Sequence, residues 1–309
     1  MKVVVSAVAF SKNKELTDLL LIHYPDAVIN ADGKRFNKNE LIEYYKSADA
    51  IITGLEIIDD ELLSNLPNLK LIAKYGVGLD NIDLEACKRR NIEIGWTGGV
   101  NKHSVAEMAL GLMLMLTRNL FITTNQLKSG IWNKSGGFSL RNRTVGIIGL
   151  GHIGKELILL LQPFNCKILV NDIVDIQNYA KEHKLEVVEK KILFQQADII
   201  SFHTPLNDST KNLINKSTIL KMKPSVILIN TARGGIINEQ DLKWALHNNK
   251  IGGVALDVFD VEPPQDNELI QFPNLIGTPH IAGNSYEAVV DMGLAAINHI
   301  IEFNKKFRI

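Results

Sequence analysis

The sequence predicts an α/β chain folded into two parallel-sheet domains, and three observations carry that expectation. Short β-branched runs alternate with segments of helical apolar spacing almost throughout, as βαβ units require. The strands of the second half are near-continuous apolar runs, the pattern of a sheet covered on both faces. At 309 residues, the chain is longer than one ordinary core organises.

In chain order, the first series of strands is VVVSAV from Val3, AIITG from Ala50, LKLIAKYG from Leu69 and IEIGW from Ile92. Between them NKELTDLLLIHY and NKNELIEYYKSA repeat apolar residues every three or four positions, which gives a helix one apolar face. NKHSVAEMALGLMLMLTRN follows. Its Ser104 and Glu107 stand three apart, as in a capping box, so a helix is expected to begin there. That helix is apolar on nearly every face and must be buried, either between domains or against another subunit. GIWNKSGGFSLRNR is polar and glycine-rich and reads as irregular. The second series runs through TVGIIGLG, CKILVND, ADIISFHTP, SVILINTARGG, IGGVALDVF and NLIGTP. SYEAVVDMGLAAINHIIEFNKKF closes the chain as a long amphipathic helix, and no internal repeat or low-complexity tract is present.

Thirty-four basic residues balance thirty-four acidic ones, so neither a nucleic-acid nor a membrane partner is expected. MKVVVSAVAF is followed by SKNKE rather than by a small-residue cleavage site, and reads as a buried first strand. The apolar run Met108 to Leu116 is about half the length needed to cross a bilayer. Cys87 and Cys166 lie far apart in no metal-ligand spacing and read as buried thiols in a reducing, cytoplasmic setting.

TVGIIGLGHIGKE supplies Gly149, Gly151 and Gly154 in G-x-G-x-x-G spacing. The glycines alone are a weak signal; the apolar strand before them and the helical HIGKELILLLQPF after them give the motif its weight. Gly149 allows the tight turn, Gly151 lets the backbone approach a pyrophosphate, and Gly154 permits close helix–strand packing. Asp172 ends the next strand, eighteen residues past Gly154. An acid there accepts hydrogen bonds from ribose hydroxyls and repels a 2′-phosphate, and no arginine follows in DIVDIQ, so NAD is favoured over NADP. About a hundred residues of α/β pattern precede the motif, enough for a separate domain. Ligands in such folds lie at the carboxyl ends of strands, which points to FHTP, NTARGG, DVFDVEPP and TPHIAG.

The ordered set GIIGLGHIG, HTPLND, INTARGGIINEQDL, ALDVFDVEPP and GTPHIAG resembles the D-specific 2-hydroxyacid dehydrogenases. The likeness extends into KYGVGLDNID and SVAEMALGLML of the first half. It implies two parallel-sheet domains, Rossmann-like and flavodoxin-like. The NAD domain, residues 99–284, is inserted into a discontinuous substrate domain built from residues 1–98 and 285–309. A homodimer around the central helices and a small 2-hydroxyacid or 2-ketoacid substrate are implied as well.

Carried onto this chain, the resemblance has Arg233 bind the substrate carboxylate and C2 oxygen, a task suited to a planar guanidinium that makes two parallel bonds. His280 would take the proton from the C2 hydroxyl in oxidation and return it in reduction. Glu262 would pair with His280 and favour the imidazolium. Asp257 would contact the nicotinamide carboxamide, and His152 and Ile153 would offer backbone N–H groups to the pyrophosphate. His203, Thr204, Pro205, Thr231 and Ala232 would line the cofactor wall. The N–H groups of Val77 and Gly78 would hold the substrate carboxylate, with Lys74 contacting the substrate. Tyr75 stands where a smaller residue is commoner.

His203 ends a strand at the cofactor edge and is the rival for proton transfer. The remaining histidines fall in helical or capping positions and default to packing or solvated roles. Two other functions share such a fold: an NAD-sensing, corepressor-like interaction protein, and an enzyme that oxidises a nucleoside transiently. The Arg–Glu–His set and the lack of extensions or insertions favour a dehydrogenase. Its substrate stays open. The likeness is to short phosphoglycerate-dehydrogenase-like members without a regulatory domain, yet Glu56 stands in a loop where many of them carry arginine. An acid there repels a phosphate, so glyoxylate, hydroxypyruvate and larger 2-ketoacids remain alongside D-3-phosphoglycerate.

Overall fold

The β-branched runs become short strands, and those inside the sheets, such as Val3–Val5, Ala50–Thr53 and Ile227–Asn230, are wholly buried because both their faces are covered. The computed structural model describes residues 1–307. They form two units: a terminal unit, Met1–Asn101 with the chain from Asn284 onward, and a central unit, Lys102–Gly283.

The terminal unit is built on β1 (Val3–Val5), β2 (Val28–Ile29), β3 (Ala50–Thr53), β4 (Leu71–Lys74) and β5 (Glu93–Gly95). All pairs are parallel, in the order β2-β1-β3-β4-β5. This is the flavodoxin-like order. Met292, Ala296, Ile297, Ile300 and Phe303 of the helix Tyr286–Phe307 cover one face, joined by Leu16 and Leu20. Leu41, Tyr45, Leu62, Leu63 and Cys87 cover the other. Burial pushes the Cys87 thiol up to about 11, so it stays protonated. VVVSAV yields less strand than expected: pairing stops after Val5, and Val8–Lys12 forms a helical turn. The two-residue β2 is too short to show any periodicity in the sequence.

The central unit is built on β6 (Thr144–Ile148), β7 (Lys167–Asn171), β8 (Glu186–Val187), β9 (Ile199–Phe202), β10 (Ile227–Asn230), β11 (Gly253–Leu256) and β12 (Leu275–Gly277). The parallel sheet runs β12-β11-β10-β9-β6-β7-β8, the Rossmann order with a seventh strand added. Leu242 and Leu246 pack on one face, and Leu112, Met113, Leu157 and Leu161 on the other.

The helix Lys102–Thr117 begins two residues before Ser104 rather than at it. The serine hydroxyl donates to the Ala282 carbonyl at 2.6 Å, so a tertiary partner takes the group that local spacing assigned to a cap. Its burial is also one-sided. Val105, Ala106, Ala109, Leu112, Met113 and Leu116 are buried, whereas Met108, Leu110, Leu114 and Met115 are only half-buried. Among the described residues no single helix is long and apolar enough to cross a membrane. The pair Lys102–Thr117 and Leu120–Lys128 would reach that length only together, and it is bent by 64°.

Candidate active site

In the central unit the strand order reverses between β6 and β9, and the glycine loop leaves β6 at that point. Gly149 has φ +94°, and a Cβ there would lie 2.5 Å from the His203 carbonyl oxygen; at Gly154 it would lie 2.3 Å from that of Gly149. Beside Gly151 there is open space, with nothing within 4 Å of an added Cβ. Gly151 is also the N-cap of the helix His152–Leu161, and no side chain caps that end. The loop therefore presents uncapped N–H groups at His152 and Ile153 to an open side, the arrangement that binds an anion.

The neighbouring strand ends are short of partners. The buried His203 Nδ1, Thr204 Oγ1 and Thr231 Oγ1 have no hydrogen-bond partner among the described residues. Such orphans are rare in a native fold unless a ligand meets them. These residues, at the ends of β9 and β10, fit a dinucleotide, and the glycine loop fits its pyrophosphate. Pro205 is exposed beside them, and Ala232 is buried in the turn after β10. Burial pushes His203 down to about 4, and its Nε2 faces Ser201 Oγ at 2.9 Å. A ring that stays neutral at pH 7 is poorly suited to cycle through imidazolium, which weighs against His203 as the proton carrier.

Asp172 ties the two loops of the crevice together. Its Oδ2 accepts from the Leu150 N–H at 2.6 Å, and its Oδ1 accepts from Ile173 and Val174 at 2.6 and 3.2 Å. Ile173 and Val174 are highly exposed apolar residues beside it. Asp172→Asn keeps an acceptor oxygen but removes the charge. It is expected to lower the NADH-over-NADPH preference in kcat/KM about tenfold; an unchanged ratio would contradict a role in reading the ribose.

Arg233, Glu262 and His280 follow three adjacent strands, β10, β11 and β12. Asn230 brackets the arginine turn: its Nδ2 donates to the Arg233 carbonyl at 2.8 Å and its Oδ1 accepts from the Ala232 N–H at 3.1 Å. Arg233 Nη1 donates to the Ala232 carbonyl at 2.7 Å. The turn presses on the β11 loop, since a Cβ at Gly234 would stand 2.0 Å from the Phe259 carbonyl oxygen. The Phe259 N–H in turn donates to Glu262 Oε1 at 3.2 Å, and Glu262 Oε2 lies 2.8 Å from His280 Nδ1. Guanidinium, carboxylate and imidazole are thus linked through one short run of packed backbone.

His280 has φ +54°, the left-handed region that a histidine seldom occupies. Asp257 holds it there. This carboxylate is fully buried; Oδ1 accepts from Thr278 Oγ1 at 2.7 Å and from the Ile281 N–H at 2.8 Å, and Oδ2 from the Ala282 N–H at 2.8 Å. The His280 N–H donates to the Asp257 carbonyl at 2.9 Å. Asp257 therefore clamps both sides of the histidine turn.

In the terminal unit, Val77 and Gly78 lie in the loop after β4. Trp96 Nε1 donates to the Val77 carbonyl at 2.8 Å and fixes that loop. The buried Lys74 ammonium donates to the Gly54 carbonyl and to Asn81 Oδ1, so it braces the loops of this unit. Tyr75 packs edge-on against Phe10, ring centroids 5.9 Å apart, and burial pushes its hydroxyl up to about 12. Asn81, Asn230 and Thr278 lie inside KYGVGLDNID, NTARGG and TPHIAG, but residue chemistry alone assigns them no role there, and Trp96 lies in no such motif. Asn230, beside a tight turn, had at least a compositional signal.

Comparison with known proteins gives this arrangement a context. A family model for the D-isomer specific 2-hydroxyacid dehydrogenase NAD-binding domain matches residues 110–282. A hydroxypyruvate reductase of Thermotoga maritima is 35% identical over 296 residues, 94% of this chain and 95% of that protein. A D-3-phosphoglycerate dehydrogenase of Methanocaldococcus jannaschii is 38% identical over 256 residues, 81% of this chain but only 49% of that longer protein. The solved structure of an Aquifex aeolicus D-lactate dehydrogenase, complexed with NAD and lactic acid, matches with a TM-score of 0.85 at 27% identity, covering 99% and 96% of the two chains. An open glycine loop flanked by orphaned polar atoms, together with a family match across most of the central unit, leads to one conclusion: the chain belongs to the D-isomer specific 2-hydroxyacid dehydrogenases, NAD-dependent oxidoreductases.

Proposed function

We propose that the chain interconverts a small D-2-hydroxyacid and its 2-ketoacid, with Arg233, Glu262 and His280 carrying the chemistry. The observation that supports this most is the 2.8 Å pairing of His280 Nδ1 with Glu262 Oε2. It orients the ring so that Nε2 meets the substrate, and it fixes which ring nitrogen is left to move the proton. His280 removes the C2 hydroxyl proton in oxidation and returns it in reduction. Arg233 holds the C2 oxygen and the carboxylate, and the Val77 and Gly78 N–H groups add donors for that carboxylate. NAD, when bound, accepts or supplies the C2 hydride. Gly149, Gly151, His152, Ile153 and Gly154 form its pyrophosphate cradle, Asp172 receives its ribose, and His203, Thr204, Pro205, Thr231 and Ala232 line its wall. Asp257 serves as a brace for the histidine turn in addition to any bond its carboxylate makes to the carboxamide.

In this reading the central unit is the NAD domain and the discontinuous terminal unit is the substrate domain. The protein works as a cytoplasmic homodimer, a state supported by the exposed Leu120, Leu127, Ile131 and Trp132 on the central unit. Light scattering after size exclusion is expected to give twice the chain mass. The functional test is NADH consumption with glyoxylate, hydroxypyruvate, phosphohydroxypyruvate, pyruvate and branched 2-ketoacids. Substrate-dependent oxidation with at least one is expected, and none with any would sink the reading.

A further inference from the structure

The segments that leave β3 and β4 read TGLEIID, from Thr53, and YGVGLDNID, from Tyr75, and contain no lysine or arginine. The two strands are parallel neighbours with Thr53 paired to Lys74. Glu56 and Val77 each lie three residues past that pair, so both belong to one edge of the sheet, on strands about 4.8 Å apart. The loops are also tied to each other. Asn81 Nδ2 donates to the Gly54 carbonyl at 3.1 Å and to the Glu56 carbonyl, while Lys74 donates to the Gly54 carbonyl and to Asn81 Oδ1. The only cation on these two strands is thereby engaged inside the unit and is 5% exposed.

The Glu56 carboxylate is fixed in a different way. Its Oε2 accepts from Thr53 Oγ1 at 2.9 Å and from the Gly54 N–H at 2.7 Å. Those bonds hold the group half-buried, while Oε1 receives no donor among the described residues. Thr53 and Gly54 thus position an anionic acceptor, with one oxygen to offer, at the edge that carries the Val77 and Gly78 N–H groups.

We propose that Glu56 sets the substrate class: it accepts a hydrogen bond from a donor at C3 of the 2-ketoacid, as the hydroxyl of hydroxypyruvate provides, and rejects the same acid phosphorylated there. The inference rests on the reading that this chain reduces 2-ketoacids whose carboxylate binds at Val77 and Gly78. A phosphate brought against Glu56 would meet like charge with no cation from either loop to offset it.

The test measures kcat/KM with NADH for hydroxypyruvate, phosphohydroxypyruvate and pyruvate in the wild type, Glu56→Gln and Glu56→Arg. Glutamine keeps an oxygen for Thr53 and Gly54 and removes only the charge. Pyruvate, which has neither hydroxyl nor phosphate, normalises each variant for changes in fold. The wild type is expected to favour hydroxypyruvate over phosphohydroxypyruvate by at least about tenfold. Glu56→Gln should narrow that ratio about tenfold, and Glu56→Arg should narrow it further. A wild type that prefers the phosphorylated acid, or a glutamine variant with an unchanged ratio, overturns the proposal. If the wild type reduces neither pyruvate nor glyoxylate, nor any other 2-ketoacid, the functional reading itself has failed, an outcome distinct from a misassigned Glu56.

Discussion

Replacing His280 with glutamine is expected to lower turnover about 10²–10⁴-fold while NADH binding is retained. Glutamine can still hydrogen-bond to Glu262, and its backbone meets the same left-handed demand as that of histidine. The variant therefore removes little except the ability to gain and lose a proton. Steady-state kcat with the best 2-ketoacid reads the first effect, and a fluorescence titration with NADH reads the second. Near-normal turnover would take His280 out of the mechanism. Loss of NADH binding would mean that the histidine turn supports the cofactor crevice instead.

Arg233→Lys should cost about 10²–10³-fold in kcat/KM, with every 2-ketoacid affected alike. Lysine keeps the charge but offers a point donor in place of two parallel ones. The backbone of the turn has supports besides the guanidinium bond to the Ala232 carbonyl: Asn230 brackets it, and Gly234 seats it against the Phe259 carbonyl. A variant that melts like the wild type while losing activity thus isolates the guanidinium. A merely twofold loss would count against two-pronged binding of the carboxylate and C2 oxygen.

Much of this architecture is written in local patterns. NKELTDLLLIHY reveals a helix because its faces differ in polarity, AIITG reveals a strand because it is a short β-branched run apolar on both faces, and the glycine loop is legible because only glycine meets its close contacts. The pairing of Glu262 with His280 is not legible in that way. They stand eighteen positions apart with a strand in the intervening chain, and only the side-by-side packing of β11 and β12 closes the gap. Their association was therefore available from family likeness and not from spacing. The supporting residues were harder still. Asn81 bridges two loops, Trp96 reaches back to Val77, and Ser104 abandons a cap for Ala282, each through a contact that exists only after folding. The short strands β2 and β8 escaped because two residues carry no period.

The backbone of His280 has a consequence for how such a protein can change over generations. Glycine or asparagine would adopt φ +54° more readily, easing the turn by about 1 kcal/mol. Folding alone therefore selects against the residue that catalysis requires. A lineage released from the need to process its substrate would relieve that backbone strain by shedding this histidine. The identity of position 280 in a descendant would then report whether the reaction is still under selection.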